Sequence, residues 1–359
     1  MDAGANVEVL TTLTALEALA PEWTALAAGS DLPMLSHAWV MACSLTLCAA
    51  QALRVITVRQ RGALVAAAPL TQSDSTGASR LELVGATALY EPSGVLYQSG
   101  EALAMLLRAM LSLGQPFVLS RILFTPQVNA MFSAAAHRRA LLVLSRINGT
   151  LAVPIDSSWE AYLASLSAHR RYDLRRAWRR AEEGGKVAVR VLSPRPDEVE
   201  GLMREFVRIE ASGWKGRNGS SLQQRPHLRA FFEQYGTRAA AAGSLRLSFL
   251  DVGETPIAAQ FSVEYADRLW VLKIGYDEAW SRCSPGWLLL AETMRVAFAR
   301  RLRSYEFLGI DESWLHGWRT VSREFRTVAC YPASVDGVYG LAADSFARLR
   351  ARLARARSH

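Results

Sequence analysis

The chain has 359 residues, half of them apolar and about a fifth charged, with a formal net charge of +8. That length exceeds what one compact core usually serves, so two domains are expected, and the composition is globular rather than disordered or fibrous. No apolar run in the sequence approaches the ~18–20 residues of a bilayer span, the start MDAGANVEVL has no basic or apolar leader character, and four cysteines without CxxC spacing argue against a disulfide framework or structural zinc. A cytoplasmic protein without a bound metal is expected.

In chain order, VEVLTT reads as a first strand, followed by helices over ALEALAPEWTALAAG and SHAWVMACSLTLC. LRVITVRQRGALVAAAPL reads as two strands about an Arg61-Gly62 turn, then TQSDSTGAS as a polar loop. A strand LELVG, an amphipathic helix EALAMLLRAMLSL and a strand PFVLSRIL complete a mixed α/β domain over residues 1–150. The pattern restarts at LAVPIDSSW, where a serine can cap the helix WEAYLASLS. An arginine-rich helix follows, ending at Gly184-Gly185. Next come a strand KVAVRVLS, a helix DEVEGLMREFVRIEA, a glycine-rich loop SGWKGRNGSSLQQRP and a helix HLRAFFEQYGTRAAAAG. Three strands, LRLSFLDV, PIAAQFSVEY and RLWVLKIGY, then lead into a helix at SPGWLLLAETM and a last strand SYEFLGI. The second domain is placed at 151–340, and 341–359 forms a basic C-terminal helix or tail.

Two basic runs stand out. HRRYDLRRAWRRAEEGG packs six arginines into residues 170–180, and RLRARLARARSH closes the chain. Such patches attract polyanions or phosphorylated cofactors, and either can equally be a solvated helix face.

The stretch Ser284-Pro285-Gly286 carries the main functional signal. Serine suits an N-cap and proline the first helical position. The amides of Gly286, Trp287 and Leu288 are then expected to point outward at the positive end of the helix dipole, ready for an anion. Gly286 would let a pyrophosphate approach the backbone, with Arg282 adding a charge-assisted contact. Taken alone, the pattern fits ordinary helix initiation as well.

An antiparallel meander followed by a strand–loop–helix unit is similar to the layout of the GNAT N-acyltransferases. The best-known fingerprint of that superfamily, Q/R-x-x-G-x-G/A, would align with Ser281–Gly286, where only the last glycine matches. The chain more closely resembles the CelD-like or BioF2-like subgroup, relatives of the FemAB aminoacyltransferases. The resemblance rests on YLASLSAHRRYDLRRAWRRAEE, SGWKGRNG, GETPIAAQFSVEYADRLWVLKIGYDEAWSRCSPGWLLL and YEFLGIDESWLHGW in the second half, and on LPMLSHAW, VAAAPL and RLELVGATALYEPSG in the first. It implies two tandem GNAT-like domains with mixed α/β sheets and the chemistry in the second. It also implies an acyl-CoA cosubstrate, or an acyl-carrier protein, and no tightly bound cofactor. One departure is that Leu315 stands where the family pattern carries a lysine, with Arg319 close by.

Acyl transfer to an amine needs a base, donors for the thioester oxygen and an acid for the thiolate. Glu264, on a polar strand face with Gln260 and Ser262, is one base candidate; Asp311 and Glu312, just past SYEFLGI, are the others. Tyr276 is the candidate acid. Trp214 and Lys215, between Gly213 and Gly216, suit a lid over the acceptor. Arg171 and Arg175, one turn apart, suit an anionic substrate, and Gln260 and Trp314 complete the acceptor set. Each of these residues can equally be structural. The reading is an N-acyltransferase whose amine, from a small molecule or a glycan, attacks the thioester directly. The alternatives are a FemAB-type enzyme using aminoacyl-tRNA and a binding protein on a decayed GNAT fold.

Overall fold

The computed structural model describes residues 5–49, 51–74, 77–309 and 313–357. It divides into two compact units, Met1–Ile147 with Glu324–His359, and Asn148–Arg323. The mixed α/β class is the one expected, but the chain returns to its first unit at the end. Residues 324–340 therefore do not belong with the second domain, and 341–357 is not a separate tail.

In the first unit, strands Ala5–Leu10, Leu53–Gln60, Ala63–Ser73, Arg80–Leu83 and Phe117–Leu123 lie in that order, and the segment Phe325–Cys330 pairs antiparallel with the last. The Arg61-Gly62 hairpin forms as expected, both residues in the left-handed region. Helix Gly100–Ser112 buries Leu103, Leu106, Leu107 and Met110 against the sheet, as its apolar spacing predicts. Val328 and Cys330 of the returning strand join this core. The terminal helix Val335–Arg357 is tied down by Asp344, which accepts from both terminal nitrogens of Arg80 at 2.8 and 2.6 Å and from the Tyr331 hydroxyl at 2.6 Å. These groups are buried, so the carboxylate can sit inside only because three donors reach it.

In the second unit the strand order is Ser304–Glu306, Arg268–Tyr276, Thr255–Tyr265, Leu245–Val252 and Val187–Leu192. Residues 152–154 pair with Ser304–Glu306 on its other side. Helices cover both faces. On one, Phe206 and Phe232, from helices Val199–Ala211 and Pro226–Ala241, pack edge-on against Phe261 with centroids 6.5 and 5.2 Å away. On the other, helix Pro285–Ala299 and the arginine-rich helix Ala168–Glu182 bury Leu288, Leu289, Ala177 and Ala181 against Leu250 and Ala258. The strand Val321–Pro332 and the helix Pro126–Ala136, which the sequence reading leaves blank, mix polar and apolar residues without clear periodicity.

Candidate active site

The site is built where strand Arg268–Tyr276 gives way to helix Pro285–Ala299. Ser284 sits at the N-cap position in the left-handed conformation, φ 48°, and its side chain makes no capping bond. Its carbonyl instead accepts from Trp287 N–H at 3.0 Å and Leu288 N–H at 3.2 Å. This corrects the expected cradle of three open amides. An N-cap carbonyl ordinarily takes the first intrahelical bond, and here it takes two. Among the described residues that leaves Gly286 N–H as the amide of the trio with no such bond. The Leu288 side chain is buried in the core and cannot face a ligand.

What the helix start lacks in amides it gains in guanidinium groups. A cavity of about 310 Å³ opens beside it, lined by Arg170, Asp173, Arg176, Arg180, Arg282, Ser284 and Trp287. Four arginines face one carboxylate there, a surplus that favours an anion. Arg170 lies over the Trp287 ring, 3.5 Å from its centroid, and Trp287 in turn packs against Trp318 at 5.5 Å. Burial lowers the pKa of Arg170, and Asp173 partly offsets the effect. A Cβ added to Gly317 would stand 1.4 Å from Arg170 Nη2, so only glycine lets this guanidinium lie flat between the two segments. Arg180 reaches across to the Arg282 carbonyl at 3.1 Å, joining the arginine helix to the loop.

The strand leading into the site is irregular in a useful way. Phe261 pairs with Lys273 and Ser262 with Val271, so Leu272 is an extra, bulged residue. The bulge shifts the alternation beyond it. Lys273 turns to Glu210, 3.1 Å away, while Ile274 and Tyr276 turn toward helix Pro285–Ala299. Tyr276 Cδ1 would lie 3.3 Å from a Cβ on Gly286, which puts the ring against the helix start. The parallel ladder to Ser304–Glu306 ends at Trp270. From Val271 to Tyr276, about 20 Å of strand edge, no described strand pairs on that side. An open edge of this kind can hydrogen-bond an extended chain carrying amides.

The SGWKG segment folds into a short helical turn, Trp214–Arg217, rather than an open loop. A Cβ on Gly213 would meet the Tyr276 carbonyl at 2.8 Å, and Arg217 pairs with Glu278, so the turn sits beside the end of the same strand. The side chains of Trp214, Lys215 and Trp314, and all of Asp311 and Glu312, lie outside the described residues.

Several expected site residues are elsewhere. Glu264 lies at the far end of the sheet, next to a second cavity of about 300 Å³ at the other end of helix Pro285–Ala299. It pairs with Arg246 at 3.1 Å and Arg300 at 2.9 Å, and this neutralisation does not suit a free base. Helical rise separates Trp287 from Arg300 by about 20 Å. Gln260 is wholly buried, its carbonyl oxygen accepting from Thr293 at 3.2 Å and Tyr305 at 3.1 Å, so it holds the helix to the sheet rather than an acceptor. The polar strand face is thus neither an acceptor surface nor a solvated one. Arg171 donates to the carbonyls of Ala164 and Leu166 and closes the preceding helix. Arg175 is exposed and off the cavity. Leu315 is buried with Trp318 in the core, where a lysine would have to hide its charge. Cys283, whose thiol burial pushes up, donates to the Trp280 carbonyl at 3.1 Å and is a packing residue. Of the arginines that do line the cavity, 176 and 180 fall beside the apolar stripe of Leu174, Ala177 and Ala181, and 170 continues that stripe at its N-terminal end, a spacing readable from sequence.

The profile of the Acetyltransferase (GNAT) domain matches residues 168–315, a span inside the second unit. No curated protein sequence matches the chain. Among solved structures, FemX is similar with a TM-score of 0.60 at 12% identity, over 89% of this chain and 96% of that one. The DUF2156 C-terminal domain of an Agrobacterium fabrum protein gives 0.55 at 10%, over 88% and 92%. A conserved protein of unknown function from Bacteroides thetaiotaomicron VPI-5482 gives 0.53 at 11%, over 90% and 99%. At these identities the likeness is one of fold, and it spans both units. Residues 168–315 of the second unit thus match a GNAT acetyltransferase domain, and this match supports an acyltransferase.

Proposed function

We propose that the protein transfers an acyl group from acyl-CoA to an amine. The observation that carries this reading is the cavity at the start of helix Pro285–Ala299, which Arg170, Arg176, Arg180 and Arg282 line together with Ser284 and Trp287. Guanidinium groups match phosphate oxygens in pairs, and the helix dipole adds to their field. The pantetheine arm would run along the open edge from Tyr276 toward Val271, its amides bonding to the strand. The thioester then lies near the bulge, with the amine arriving from the side of the Trp214–Arg217 turn.

In this reading the amine nitrogen attacks the thioester carbon and the C–S bond breaks. Tyr276 gives its proton to the departing thiolate, and a carboxylate takes the proton lost by the ammonium. Asp311 and Glu312, which follow strand Ser304–Glu306, are the base candidates. No covalent enzyme intermediate is required. The test is release of free CoA thiol from acetyl-CoA over a panel of amines, amino acids and amino sugars. Amine-dependent thiol release supports the reading; thiol release with none of them, or only without amine, refutes it.

A tRNA-borne aminoacyl donor is the second reading, favoured by Arg175 and Arg179, which extend the basic helix face beyond the cavity and are exposed. It requires RNA binding that weakens steeply with salt, because each phosphate contact releases counterions. Competition between tRNA and CoA for the protein separates the two.

A further inference from the structure

The terminal helix Val335–Arg357 has two faces of opposite fate. Gly337, Gly340 and Asp344 face the first unit. A Cβ on Gly337 or Gly340 would meet Pro332 O at 1.9 Å or Pro116 Cγ at 2.6 Å, so the helix backbone is pressed onto the body. On the other face Val335, Val338, Tyr339, Phe346, Leu349 and Leu353 are between 53% and 86% exposed. At 100° per residue they fall within an arc of about 100°, and the row runs ~27 Å along the helix. An apolar row this long and this exposed on a water-facing helix calls for a partner.

The charge beside the row indicates which partner. After Asp344 the helix contains Arg348, Arg350, Arg352, Arg355 and Arg357 and no acid. Arg350 and Arg352 border the apolar row and are exposed, and the Arg350 guanidinium lies 5.8 Å from the centroid of the Phe346 ring. Long cationic side chains at the edge of an apolar stripe can bury their stems and hold their heads at a polar surface. Two copies of the row placed together would oppose these arginines, which weakens self-pairing. An anionic phospholipid surface satisfies both features at once, since acyl chains take the row and headgroups take the guanidinium groups. None of the described helices is long and apolar enough to cross a membrane, so the contact is with the surface.

We propose that helix Val335–Arg357 lays its apolar row on a bilayer rich in anionic phospholipid. This does not depend on the acyl-transfer reading. The test is cosedimentation of the full-length protein with vesicles of phosphatidylcholine alone or mixed equally with phosphatidylglycerol. Binding to the mixed vesicles should exceed that to the neutral ones by at least about tenfold and fall as salt is raised. Leu349→Ser with Leu353→Ser, both exposed positions that leave the fold alone, should remove it. Arg350→Glu with Arg352→Glu should abolish the preference for phosphatidylglycerol. Equal binding to both vesicle types, or none to either, overturns the proposal. So does a concentration-dependent dimer in gel filtration that the serine variant abolishes, since a second copy would then cover the row.

Discussion

The two ends of helix Pro285–Ala299 both carry arginines, and the carboxylates around them decide what those arginines can do. At the C-terminal end Arg246 and Arg300 close on Glu264, and the cluster keeps one net positive charge, with its carboxylate fully engaged. At the N-terminal end four arginines face the single carboxylate of Asp173 and leave a net positive cavity beside Ser284 and Trp287. Polar residues in a strand therefore do not by themselves mark a site. A carboxylate already held by two guanidinium groups stabilises the fold, whereas guanidinium groups without a carboxylate await a ligand.

Substitutions at the two ends should separate sharply. Tyr276→Phe removes the proposed acid, and kcat should fall by roughly 100-fold with little change in CoA affinity; an unchanged kcat would remove Tyr276 from the chemistry. Gly286→Asp places a carboxylate at the helix start next to the cavity, its Cβ tight against Tyr276 at 3.3 Å. CoA affinity in titration calorimetry should drop by about 30-fold while the melting temperature stays within a few degrees. Glu264→Gln should do the reverse. Activity is expected to stay within about twofold, while unfolding in urea reports a loss of ~2 kcal/mol, because Arg246 is left without its counter-charge. A strong fall in kcat would return Glu264 to the catalytic set.

A smaller effect is expected in the other unit. Burial, and then the Asp344 carboxylate, push the Tyr331 hydroxyl up to about 12 from 10.0. Because the folded value lies above the unfolded one, its contribution is full below about pH 10 and is lost as pH rises toward 12. Tyr331→Phe should cost ~1 kcal/mol at neutral pH through the lost hydrogen bond and flatten the alkaline limb of the stability curve. An alkaline limb as steep as the parent's would assign it to other groups.

Much of this was legible in the sequence, though in pieces. The hairpin at Arg61-Gly62, the helix at Pro285 and the arginine run each follow from local propensity. That the run and the helix start form one cavity does not, because Arg180 and Arg282 are a hundred residues apart and only packing joins them. The pair Arg171 and Arg175 has the right spacing for one face, but the wrong face, since the buried stripe passes through Ala177 and Ala181. Gln260 and Ser262 read as a polar surface because alternation cannot distinguish water from a buried hydrogen-bond network. The bulge at Leu272 leaves no mark in the sequence, yet it turns Tyr276 toward Gly286. The return of residues 324–357 to the first unit is a long-range pairing without a local signal.

The central claim is that the arginine-lined cavity holds the phosphates of the acyl donor. Titration calorimetry of CoA against the parent protein, the Arg180→Glu/Arg282→Glu variant and the Arg175→Glu variant tests it directly. The account predicts binding by the parent, a loss of about 30-fold or more in the double variant from two reversed charges at the cavity, and no more than a threefold loss for Arg175→Glu. Equal losses in the two variants, or CoA binding untouched by the double reversal, would contradict it.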